Sequence, residues 1–130
     1  RRGPVHRSSA GKVLAAFVPG VLEARLKAGL PPSTGYTIVV PDLFRQEMEK
    51  VRQRGYARSV DETEIGMSSI AVPVRSAPNG PVVAAISMVG ATMRVAGDTE
   101  ASNVATLLGA AKKLTESLEL GEYRLPRRRR

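Results

Sequence analysis

The segment HRSSAGKVLAAF, residues 6–17, gathers the side chains best equipped for chemistry: the only histidine, His6, two hydroxyls at Ser8 and Ser9, and the pair Gly11–Lys12. Ser9 and Lys12 stand at S-x-x-K spacing, which sets a serine nucleophile beside an amine base. The S-D-N and K-T-G elements that accompany that motif in serine acyl-enzymes occur nowhere in the chain. Gly-Lys also ends a phosphate loop, but that loop needs Gly five residues earlier and a hydroxyl after the lysine, and those positions hold His6 and Val13. His6 has no acid partner at known geometry, so a Ser-His-Asp constellation is not supported. Asp61, Glu62 and Glu64 form an acidic cluster, but no histidine or second cluster joins them, and they read as a solvated edge. The absence of cysteine removes thiolate metal sites and disulfides and fits a reducing compartment. Enzyme is the weaker class, and no metal or cofactor is expected.

What survives is a helix that opens on small residues. The first N–H groups of any helix lack internal partners and favour an anion, and Ser8, Ser9, Ala10 and Gly11 would let a ligand approach that backbone. Hydroxyls at Ser68, Ser69 and Ser87 fall on two predicted strands. If the strands pair through Asn79–Gly80, Ser68 or Ser69 lies opposite the region from Ser87 to Gly90. Such a pocket suits a small carboxylate. Serines that cap and face solvent explain the same pattern, and the residues alone leave both readings open.

The elements that must position these groups are legible from periodicity. Residues 9–17 read as a largely apolar helix broken by Pro19–Gly20. VLEARLKAG is a second short helix with Gly29 as its stop. LPPSTGY is a loop, and TIVV is a short strand or an extended lead-in. Pro41 suits the first turn of a helix running to about Arg54, with Phe44, Met48 and Val51 at i, i+4, i+7 spacing and Gly55 ending it. YARSVDE, SSIAVPVRS and VVAAISMVG read as strands, and Asn79–Gly80 as a hairpin turn. Val104, Leu107, Leu108, Ala111, Leu114 and Leu118 define a last helix, capped by Thr99 or Asp98. The order α-α-α-β-β-β-α lacks βαβ alternation and predicts an α+β fold with an antiparallel sheet packed with helices.

The chain has 130 residues, enough for one domain, and a net charge of +8. That excess sits at the ends, in Arg1, Arg2, Arg7, Arg124 and Arg127 to Arg130, whereas residues 11–122 carry twelve basic and twelve acidic side chains. The division expected is a domain over 1–123 and an Arg-rich tail over 124–130, with nucleic-acid contact confined to the ends. No window approaches the roughly 18 apolar residues of a membrane span, and VLAAFVPGVL lacks the cleavage site of a secretory signal. The chain opens on Arg rather than Met, so a piece of a longer protein is expected.

Three segments, HRSSAGKVLAAF, RQEMEKVRQRGYARSVDETEIGMSSIAVPV and NGPVVAAISMVG, occur in the order and spacing of one family. Over His6 to about Leu118 the sequence resembles the effector-binding domain of the IclR family of bacterial transcription regulators. The resemblance implies a profilin-like, GAF-like sensor domain that follows an N-terminal winged helix-turn-helix and assembles as dimers or tetramers in the bacterial cytoplasm. Neither that DNA-binding module nor the first strands of the sensor are found in this sequence, so an open sheet edge is expected.

By position, the family's effector site falls on the backbone at Ser9 and Ala10, extended here to Gly11, and on Ser59, Ser69, Ser87 and Val89. Family members often carry an acid at the place of Ser59, for which Asp61 is the nearest substitute, a hydroxyl at Val89, and Cys at Ser69. The implied pocket is less acidic and more apolar. It favours a carboxylate with a larger apolar part than glyoxylate or pyruvate, such as an aromatic or branched acid, with Ser69 and Ser87 bonding its polar atoms and Ile70, Ile86 or Met88 walling the rest. The expected function is metabolite sensing for transcriptional control, without catalysis. The alternatives are an oligomerisation scaffold that binds no ligand, and a small basic nucleic-acid module acting through the Arg-rich ends.

Overall fold

The computed structural model describes residues 5–121, so the Arg-rich tail, the boundary at residue 123 and the first arginines lie outside the described residues. Three helices come first: α1 (Ser9–Phe17), α2 (Val21–Ala28) and α3 (Pro41–Arg54). Three strands follow, β1 (Ala57–Val60), β2 (Met67–Arg75) and β3 (Val82–Ala91), and the described chain ends with α4 (Thr92–Val95) and α5 (Glu100–Glu119). The strands form one antiparallel sheet in the order β1-β2-β3. The α+β expectation holds.

The pleat decides what each face buries. Side chains alternate along a strand, so Ser69 and Ala71 share one face of β2 while Ile70, Val72 and Val74 share the other. On the first face Ala57 and Ala71 join Val13 of α1 and Phe44, Met48 and Val51 of α3 in one apolar cluster. Small strand residues there let α1 lie close to the sheet. On the second face Ile70, Val72 and Val74 pack with Val95, Val104, Leu107 and Ala111. Ile70, Val72 and Val74 are all but fully buried, and each such side chain stabilises the fold by about 1.5–3 kcal/mol. The sheet is thus held between an α1–α3 layer and α5.

Local chemistry sets the boundaries. Ser8 caps α1, its Oγ accepting from Gly11 N at 3.0 Å. Pro41 opens α3, and Gly55 ends it at φ 86°, in the left-handed region that glycine adopts freely. TIVV is a lead-in with no ladder: Thr37 instead organises the loop, its Oγ1 accepting from Ser33 N and Thr34 N and donating to Glu62 O at 2.6 Å.

Five points differ from expectation. The strand read from YARSVDE stops at Val60, because Asp61 turns to φ 57° and its Oδ1 accepts from Gly66 N at 3.0 Å. In the β2–β3 turn only Asn79 takes positive φ, at 61°. It follows Pro78, and Gly80 N donates to Ala77 O at 2.8 Å, the pattern of a type II turn rather than a two-residue hairpin loop. The short helix α4 carries no periodic signal in so few residues. Leu108 is 47% exposed, so the buried stripe of α5 is narrower than its leucines suggest. Thr99 is the N-cap residue of α5, but its side chain makes no capping bond.

Candidate functional site at the start of α1

Antiparallel register brings one residue from each strand into a single row on the α1 face: Ser59 opposite Ser69, and Ser69 opposite Val89. The N-terminus of α1 lies over this row, and Ser9 N donates to Ser69 Oγ at 3.4 Å. A cavity of about 350 Å³ opens here, lined by those three residues together with Ser8, Thr63, Glu64, Met67 and Ser68. The volume falls in the range that holds small ligands. Met67 and Val89 supply its apolar wall.

The remaining expected site residues lie as follows. Gly11 N is taken by the Ser8 cap. A Cβ at Gly11 would overlap the backbone of Val5, so close approach within the protein accounts for this glycine. Ala10 is half-buried between Ser9 and Gly11 in the same first turn. Ser9 Oγ is buried and has no partner among the described residues. Ser87 is exposed and pairs with Ala71, one row beyond the cavity lining. Asp61 does not line the cavity. Its Oδ1 accepts from Thr92 Oγ1 at 2.7 Å as well as from Gly66 N, and Ser68 Oγ meets the same Thr92 hydroxyl at 2.8 Å. Asp61 therefore anchors the 61–66 loop that carries Thr63 and Glu64. Ile70, Ile86 and Met88 pack in the cluster on the α5 face and do not wall this cavity.

His6 and Lys12 are structural. His6 is fully buried, with Nε2 2.7 Å from Pro31 O and its ring edge-on to Phe44. Burial holds its pKa below the ordinary value, and the positive charges of Arg25, Arg7 and Lys12 act the same way against the Pro31 bond. Lys12 is also fully buried. Its Nζ donates to Glu62 Oε2 at 2.8 Å, Arg58 O at 2.9 Å and Glu47 Oε2 at 3.3 Å. The amine is committed to these acceptors and braces α1 against β1 and α3. Burial pushes the Glu62 carboxyl above its usual range, opposed by Lys12. No group of three His, Cys, Asp or Glu positioned for a metal occurs among the described residues.

Comparison with known proteins decides the family. Residues 1–116 match the family model described as the bacterial transcriptional regulator IclR C-terminal domain. The chain belongs to the IclR family. The glycerol operon regulatory protein of Streptomyces coelicolor is 33% identical over 122 residues, covering 92% of this chain and 48% of that protein. The IclR of Thermotoga maritima superposes with a TM-score of 0.78 at 33% identity, covering 88% of this chain and 47% of that one. The inducer-binding domain of the PobR transcription factor from Acinetobacter, a double mutant in complex with 3-hydroxybenzoic acid, gives 0.77 at 34% identity, covering 88% and 67%. The chain spans about half the length of such curated relatives. Its match is to the C-terminal domain of that family, and no helix among its described residues is long and apolar enough to cross a membrane.

Within this IclR domain the sequence reading missed Thr63, Glu64 and Met67 as pocket residues. Met67 carried a signal, since it shares the strand face of Ser69 at period two. Thr63 and Glu64 carried none, because their placement depends on the Asp61 turn.

Proposed function

We propose that this domain senses a small organic carboxylate in the cavity between α1 and the sheet. Occupancy would adjust DNA binding by a winged helix-turn-helix in the longer regulator. The observation that carries this reading is the Ser59–Ser69–Val89 row beneath the α1 N-terminus, where Ser9 N already points at a hydroxyl oxygen. The ligand's carboxylate sits over the amides of Ser9 and Ala10, where the helix end favours negative charge. Ser69 bonds it, and its apolar body lies against Met67 and Val89. The protein acts in the bacterial cytoplasm as a homodimer or homotetramer and catalyses nothing. The related inducer-binding domain complexed with 3-hydroxybenzoic acid supports an aromatic acid over a small oxo acid.

A wider recess of about 470 Å³ lies beside α2, lined by Val5, Val18, Val21, Ala24 and Arg25 among others. Gly20 and Val21 at the start of α2 border it, but no hydroxyl side chain lines it, so it is not the favoured site.

The test is the melting temperature against millimolar benzoate, phenylpropanoate, isovalerate, pyruvate and glyoxylate. An acid at about 100 times its dissociation constant adds about 2.7 kcal/mol, a rise on the order of 10 °C in a domain of this size. The aromatic or branched acids are expected to raise the melt and Ser69→Leu to abolish the rise. A cooperative melt that no acid shifts would leave a scaffold role in place of sensing. Larger shifts from pyruvate and glyoxylate would overturn the ligand class.

A further inference from the structure

We infer that the ligand carries a hydrogen-bond donor in addition to its carboxylate, and that Thr63 and Glu64 read that donor. The inference rests on the sensing role proposed for the cavity and follows from where each hydroxyl proton goes. A hydroxyl has one proton to give and two lone pairs to offer. Ser8 Oγ accepts from Gly11 N at 3.0 Å and Ser69 Oγ accepts from Ser9 N at 3.4 Å. Neither has an acceptor for its own proton among the described residues, so both are donors to a ligand. Ser59 and Thr63 are committed the other way. Ser59 Oγ donates to Arg7 O at 2.6 Å and Thr63 Oγ1 donates to the same carbonyl at 3.1 Å. Their protons are spent, and they face a ligand as acceptors. Glu64 adds a carboxylate that makes no ion pair among the described residues.

One cavity therefore offers two kinds of polar contact. The Ser8 and Ser69 hydroxyls, at the positive end of α1, match a carboxylate. The Ser59 and Thr63 oxygens and the Glu64 carboxylate repel one and match a hydroxyl or an ammonium. A plain carboxylic acid satisfies the first set and gains nothing from the second. A hydroxy acid or an amino acid satisfies both.

The experiment is calorimetric titration of the purified chain with two matched series. Phenylpropanoate, phenyllactate and phenylalanine share one skeleton and differ by hydrogen, hydroxyl and ammonium beside the carboxylate. Benzoate and 4-hydroxybenzoate place the hydroxyl at the far end instead. In at least one series a donor-bearing acid is expected to bind about tenfold more tightly than its plain parent, as one additional hydrogen bond gives. The phenyllactate and phenylalanine arms separate a hydroxyl from an ammonium. Glu64→Gln and Thr63→Val, both at exposed positions, are expected to shrink that ratio to about threefold or less. Plain acids that bind as tightly as their donor-bearing partners would overturn the inference and leave the carboxylate sensor standing. A ratio unchanged in both variants would remove Thr63 and Glu64 as its readers. No binding by any acid would overturn the inference and the sensing role together.

Discussion

At the scale of single residues, Lys12 and Gly11 differ most from what the sequence suggested. A Gly-Lys pair ahead of an apolar run invites a phosphate or nucleophile reading, yet both residues serve packing. Burial is what the sequence does not display, since Lys12 is a charged residue inside a helix that otherwise reads as apolar. Replacing it with Met leaves Glu62 without a cation, while Glu47 keeps Arg54 at 3.7 Å, and the expected loss is about 3–5 kcal/mol by chemical denaturation. The pH dependence follows from the Glu62 carboxyl, whose pKa is raised above 4.5 by burial. A raised folded-state value means that proton uptake favours folding. The contribution is full below 4.5 and is lost as pH rises through the raised value. Without Lys12 the value rises further, so the penalty in Lys12→Met is expected to be largest at neutral pH and to shrink toward pH 5. A penalty that grows on acidification would contradict the brace. The second variant, Lys12→Met with Glu62→Leu, is expected to recover most of the loss. Gly11→Ala gives the other residue-scale test. Glycine to alanine inside a helix ordinarily stabilises by about 1 kcal/mol. At residue 11 the new Cβ meets the Val5 backbone, which cannot yield as a flexible side chain does, and a net destabilisation of about 1–3 kcal/mol is expected in thermal melts.

At the scale of elements, periodicity located the first three helices, the three strands and α5, because each must bury one face and records that need in its sequence. What it could not record were the points where a side chain captures a backbone. Asp61 ends β1 early by binding Gly66 N, and the same carboxylate holds Thr92 at the start of α4. The 61–66 loop, and with it the Thr63 and Glu64 part of the pocket's polar lining, is consequently invisible to a pattern of apolar residues. That Ser68 or Ser69 lies opposite the region from Ser87 to Gly90 was legible from the turn around Asn79, whereas the partner Val89 also depends on the register shift at Val74 and Arg75. β3 is an edge strand, and no strand pairs with its outer side among the described residues. Val83 and Val89 are both exposed on it. An exposed edge of this kind recruits further strands. The isolated chain is expected to associate as concentration rises in sedimentation velocity, and Val83→Lys is expected to reduce that association. A chain that stays monomeric at all concentrations would show that the edge is adequately protected.

At the scale of the whole molecule, the domain is charge-neutral between its ends, layered around a small sheet, and related along nearly its full length to regulators about twice as long. Composition set aside most chemistries, and the family resemblance pointed to the place proposed for the site. The structure adds the row that joins three strands under one helix end, which neither composition nor periodicity could assemble. The most direct test of carboxylate sensing is to follow backbone amide resonances of the isotopically labelled chain while phenylpropanoate is added to millimolar concentration. The largest shifts are expected at Ser9, Ala10, Ser69 and Val89, saturating together. Shifts centred on Val5, Val21 and Ala24, or none at all, would contradict a carboxylate site at the start of α1.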